Sequence, residues 1–126
     1  MRNKSRRSLE MLALTLSACA TTPEPATQDS ASEDAFCADA PTVDYNNFGE
    51  GFLLANCQGC HASTTANRHS APKTVTFDTV DQVWAWAPNI LSSATGDSPA
   101  MPPRGGIDPD DRIRLEWWLR CAPPGT

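Results

Sequence analysis

Residues Cys57-Gln58-Gly59-Cys60-His61 form the pattern C-x-x-C-H. Thiols three positions apart lie on one side of a helical turn. From there both can add to the two vinyl groups of a single porphyrin. The adjoining imidazole is then held under the iron as an axial ligand, which makes this the attachment pattern of c-type haem. Gly59 leaves space for the ring to approach closely. Two other chemistries share part of the pattern. A redox C-x-x-C wants a strand–helix setting of the βαβ kind. A zinc site wants four nitrogen or sulfur ligands, and the chain has neither a second C-x-x-C nor paired histidines. The expectation is one covalent haem c, bonded through Cys57 and Cys60, with His61 on the iron.

The compartment agrees with that chemistry. Arg2, Lys4, Arg6 and Arg7 precede a short apolar run, Met11 to Ala18. This reads as a secretory signal, too short to span a bilayer as a mature helix. Leu16-Ser17-Ala18-Cys19 resembles the bacterial lipobox, in which the cysteine becomes a lipidated N-terminus; an ordinary signal peptide is the alternative. Residues 1–18 are therefore expected to be a lipoprotein signal peptide and Cys19 the lipid acceptor. Residues 19–36 are rich in Ala, Thr, Ser, Pro and acids with no apolar period, as in a disordered tether. The folded domain is assigned to 37–126. The expected location is the periplasmic side of a bacterial membrane, held by the lipid. Loss of four cations and one carboxylate with residues 1–18 takes the formal charge from -5 to -8. That excess of acid argues against nucleic-acid binding and favours partners with positive patches.

The elements that must position the motif are short. Asp44 is placed to cap a helix over Tyr45 to Asn56, with Phe48, Phe52 and Leu53 on one face. Ser63 to Thr76 is polar loop. Asp78 or Thr79 caps a second helix with Val80, Val83, Trp84, Ala87 and Leu91 in a stripe and Trp86 facing away. Pro88 should kink or divide it. Ser92 to Pro109 is a loop dense in Pro and Gly. Asp108 caps a last helix over Pro109 to Arg120, with Ile113, Leu115, Trp117, Trp118 and Leu119 as its apolar residues. No run alternates as a strand; Val75-Thr76-Phe77 is extended at most. The class is all-α. With roughly 85 residues between Cys37 and Cys121, the core is small enough to need a staple or a cofactor.

Around the haem motif the chain resembles the small class I-like mono-haem cytochromes c of the bacterial lipoprotein type, over about Asp44 to Leu119. That family carries a glycine eight residues before the first haem cysteine and a bulky apolar residue four before it. Gly49 and Leu53 stand there, although an aromatic is common at the second position. Its last helix carries a leucine and an aromatic three apart, matched by Leu115 and Trp118. The resemblance implies the cytochrome c fold: three to four short helices and long loops wrapped around one covalent haem, with the last helix crossing at the glycine. It also implies Met101-Pro102 as the distal ligand in a late loop. Met101 is the one methionine outside the signal segment, and His69, on the polar loop after the motif, is its competitor. One histidine and one methionine ligand raise the reduction potential relative to two histidines, because soft sulfur favours Fe(II).

In the family, a proline after the motif lends its carbonyl to the second nitrogen of the ligating histidine, and Pro72 is where it belongs. Arg68, Trp84 and Arg104 are candidates for haem propionates, since Arg offers paired donors and Trp one N–H. A solvated charge is the alternative for either arginine, and Trp84, on the apolar stripe, reads rather as core or haem wall. Terminal helices touch in this fold, so Cys37 and Cys121 are expected to pair in an oxidising compartment. The function implied is electron transfer rather than catalysis. The partners are a redox donor and acceptor, free or within a membrane respiratory complex, with no small-molecule substrate. The alternative is a haem subunit, or a sensor or peroxidase-like module, with an open or displaceable sixth ligand.

Overall fold

The computed structural model describes residues 28–122, and the signal segment, Cys19 and the first part of the expected tether lie outside them. The described residues are helical and contain no strand. Six helices follow one another: α1 (Gln28–Cys37), α2 (Glu50–Asn56), α3 (Gln58–His61), α4 (Val80–Ala85), α5 (Ala87–Ala94) and α6 (Pro109–Cys121). A π-helical turn, Tyr45–Gly49, leads directly into α2. Asp44 starts it, accepting from the backbone N–H of Asn46 and Asn47 at 2.8 Å each, while the Asn47 side chain accepts from the Asp44 N–H. This reciprocal cap satisfies donors that the helix itself leaves open.

The core gathers around α6, against which the π turn and α5 pack, with residues of α2 in the same cluster. Phe52, Leu53, Leu115, Trp118 and Leu119 are buried there. On α6 the buried positions 115, 118 and 119 follow the helical period. Ile113, another apolar residue of this helix, is 45% exposed. It stands two residues, about 200° of helix, from Leu115. Gly49 is buried against Trp118, and a Cβ at Gly49 would lie 2.6 Å from that ring. Only a missing side chain lets the indole ring lie so close to the Gly49 backbone.

The middle helix divides as Pro88 requires. A proline inside a continuous helix would clash with the carbonyl four residues back. Here Trp86 leaves helical geometry (φ -106°, ψ 3°), and Pro88 falls in the first turn of α5. Of the two candidate caps, Thr79 does the work, paired with Gln82 in a capping box. Asp108 caps α6 by accepting from Asp110 N–H at 2.8 Å.

The N-terminal part of the domain departs from expectation. Residues 28–36 were assigned to the disordered tether, with the domain starting at 37, yet Gln28–Cys37 is a helix packed on α6. The cause is tertiary. Glu33 and Phe36, three apart and so on one helix face, both meet Arg120. Its guanidinium donates to the Glu33 carboxylate at 2.9 Å and lies 3.6 Å over the Phe36 ring. Cys37 and Cys121 are disulfide-bonded with Cα atoms 5.4 Å apart. An exposed ion pair is worth little by itself, but it acts here beside a cation–π contact and a covalent link.

Candidate functional site

Cys57 closes the end of α2, and Cys60 and His61 lie on the single turn of α3. Both cysteines are free thiols and half-buried. Burial, reinforced by the neighbouring Cys60, pushes the Cys57 thiol up to about 12. A thiol protonated at neutral pH is the opposite of the nucleophilic thiolate that a redox C-x-x-C requires.

The chain after His61 folds back over α3 as a strap. Phe77 N–H donates to the His61 carbonyl at 2.9 Å, and the Gln58 amide donates to the Phe77 carbonyl at 2.6 Å. Ser63 N–H donates to Asp78 at 2.9 Å. The strap brings Phe77 against His61, with ring centroids 4.7 Å apart and planes inclined by 21°. It also brings the Val75 carbonyl to 3.1 Å from His61 Nδ1. A carbonyl only accepts, so Nδ1 carries the proton and Nε2 keeps its lone pair for a metal.

Cys57, Cys60, His61 and Met101 line one cavity of about 330 Å³. Its remaining walls are mostly apolar, including Phe52, Pro72, Val75, Phe77, Trp86, Ile90, Pro102 and Ile107. Met101 comes from the long loop between α5 and α6. Its N–H and that of Ala100 both donate to the Ser93 carbonyl at 2.8 Å. Arg112, from α6, donates to the Met101 carbonyl at 3.1 Å and also to the Ala94 carbonyl. Met101 lines the cavity and is itself 40% exposed. His69 is exposed on its loop and is not part of the cavity lining.

Of Pro72, Arg68, Trp84 and Arg104, only Pro72 lines the cavity. The carbonyl facing His61 Nδ1 belongs to Val75, not Pro72. Pro72 lines the cavity, but its carbonyl accepts from Val75 N–H and from Arg68, each at 3.0 Å. Arg68 is not turned to the cavity, since its guanidinium is spent on strap carbonyls. Trp84 packs edge-on to Trp118 with centroids 6.0 Å apart and does not line the cavity, whereas Trp86 does. The break at Trp86 resets the helical phase, so a stripe drawn through 84 and 87 misjudges 86. Arg104 is exposed and outside the lining.

The donor set fits a covalently attached porphyrin. Two thiols stand one turn apart, an imidazole has its outer nitrogen satisfied, and a thioether shares their apolar cavity. Those four residues would hold the haem and its iron. Among the described residues no group of three or more His, Cys, Asp or Glu side chains is arranged to hold a bare metal ion, and none of the helices there is long and apolar enough to cross a membrane. No protein-family model, curated protein or solved structure matches the chain.

Proposed function

We propose that this protein is a mono-haem c-type cytochrome with the cytochrome c fold, passing single electrons between redox proteins on the periplasmic side of a bacterial membrane. It is a carrier, not an enzyme. Haem c is attached at Cys57 and Cys60, with His61 and Met101 as axial ligands and a lipid on Cys19 as anchor. The observation that carries this reading is the convergence of all four haem residues on one apolar cavity, although 40 residues separate His61 from Met101. The close approach of Gly49 to Trp118 adds support, because it is the helix crossing that the resemblance to small cytochromes c implies.

When bound, haem supplies an iron that changes oxidation state by one electron. The chain's part is to keep both ligands in place and the surroundings apolar, which limits rearrangement as the charge changes. Val75 orients His61 and leaves Nε2 available. Met101 sulfur favours the reduced state. The acidic surface steers partners with basic patches, a redox donor and an acceptor or the subunits of a respiratory complex.

A second reading has one observation in its favour. Met101 lines the cavity and is itself exposed, as a displaceable ligand in a sensor, a peroxidase-like module or a haem subunit would be. Haem staining of a denaturing gel, on membrane and soluble fractions, followed by an optical spectrum, decides between them. A covalently stained membrane species, low-spin and with the weak methionine–iron charge-transfer band when oxidised, is the result expected of a carrier. A high-spin spectrum, or rapid carbon monoxide binding with Met101 intact, favours the second reading. A chain without covalent haem defeats both.

A further inference from the structure

Arg68 reaches four backbone carbonyls of the strap, at Ala62, Ala71, Pro72 and Val75. The bond to Val75 is 2.7 Å, shorter than the 3.1 Å bond from His61 Nδ1 to the same oxygen. A carbonyl oxygen has two lone pairs, so one acceptor serves both donors. The two bonds are not independent. A guanidinium is a charged donor, and bonds to it are roughly twice as strong as neutral ones. It draws electron density from the oxygen and leaves that oxygen a poorer acceptor for the imidazole N–H.

We propose that Arg68 is a positioning residue that sets the strength of the His61 ligand through the shared Val75 carbonyl. The inference rests on the haem reading of His61 given above. The basicity of a ligating histidine follows the bond at its other nitrogen. With Arg68 in place the Nδ1–H bond is weakened, the imidazole carries less imidazolate character, and it donates less to iron. Fe(II) is favoured. Without Arg68 the Val75 oxygen accepts fully from His61, the ligand strengthens, and Fe(III) gains.

The test uses the full-length, haem-loaded protein with Arg68→Met, which keeps the apolar stem and removes every donor, and Arg68→Lys, whose ammonium cannot span the carbonyls. In a redox titration, R68M is expected to move the Fe(III)/Fe(II) ratio at fixed potential about tenfold toward Fe(III), close to 59 mV for one electron. R68K is expected to move it the same way by less. Loss of a nearby cation would by itself lower the potential, so a second readout is needed. In a Met101→Ala background, resonance Raman of the reduced protein gives the iron–histidine stretch, which rises as Nδ1–H donates more strongly. A higher frequency in R68M, with R68K between it and the parent, supports the inference. An unchanged frequency overturns it, even if the potential falls. Should R68M fail to accumulate with haem, the same reading of R68K decides. A wild-type chain lacking covalent haem overturns both the inference and the reading beneath it, whereas haem present with unmoved frequencies overturns the inference alone.

Discussion

The strap after His61 and the loop carrying Met101 border the same cavity, but they are tied down unequally. The strap is bonded to α3 at its far end, closed on itself between Ser63 and Asp78, carries the capping box of α4 at its exit, and is gathered by one guanidinium over several carbonyls. The loop is held at Met101 by the Ser93 carbonyl and by Arg112, and its methionine is exposed. In the haem reading proposed above, the tightly tied side would keep His61 on the iron and the looser side would offer Met101. In an electron carrier both ligands stay on. The difference therefore locates where such a protein would first lose its closed, six-coordinate state.

The largest test of that contrast is Met101→Ala. It should convert the haem fully from low to high spin, open it to carbon monoxide and lower its potential, while covalent staining persists. Optical titration checks this. A variant that stays low-spin would show that the loop is not the ligand-bearing side. Next, replacing Cys37 and Cys121 with serine removes a link spanning 84 residues, worth about 4.5 kcal/mol in the chain-entropy model. Denaturant unfolding should show a loss of that order, with the spectrum of the folded protein intact, because the link lies in the frame common to both regions.

Gly49→Ala places a methyl against the Trp118 ring and should cost about 1–3 kcal/mol by overpacking. Its effect should appear in unfolding midpoints and not in ligand spectra. Arg112→Ala should cost about 1.5 kcal/mol, the value of a charge-assisted hydrogen bond. It differs from Gly49→Ala in kind: the methionine–iron band should fade in mild denaturant before the protein unfolds, since the bonds lost tie the Met101 loop and the end of α5 to α6. The smallest effect concerns the haem-free chain. Alkylation of Cys57 should be slow at neutral pH and quicken as pH approaches 12, where the half-buried thiol ionises.

Much of the cavity could be read from residue types because it depends on local spacing. C-x-x-C-H carries its own geometry, and Asp44, Thr79 and Asp108 lie next to the donors they cap. Met101 stood out through its Met-Pro loop and the scarcity of competitors. Trp86 was misjudged because the break beside Pro88 changes the helical phase. Helix α1 was missed because nothing periodic within residues 28–36 announces it; its reasons, Arg120 and Cys121, lie more than 80 residues away.

The sequence by itself determined the all-helical class, the caps at Asp44 and Asp108, and the candidate groups for a haem, since each rests on side-chain chemistry over a few residues. Only the tertiary structure decided which carbonyl faces His61. Every residue carries a carbonyl, so no side-chain signal distinguishes Val75 from Pro72; the path of the strap does. It likewise decided that Arg68 binds backbone and Arg112 holds the methionine loop. A guanidinium reaches whatever acceptors the fold brings near, and those acceptors are backbone atoms whose positions depend on the whole chain.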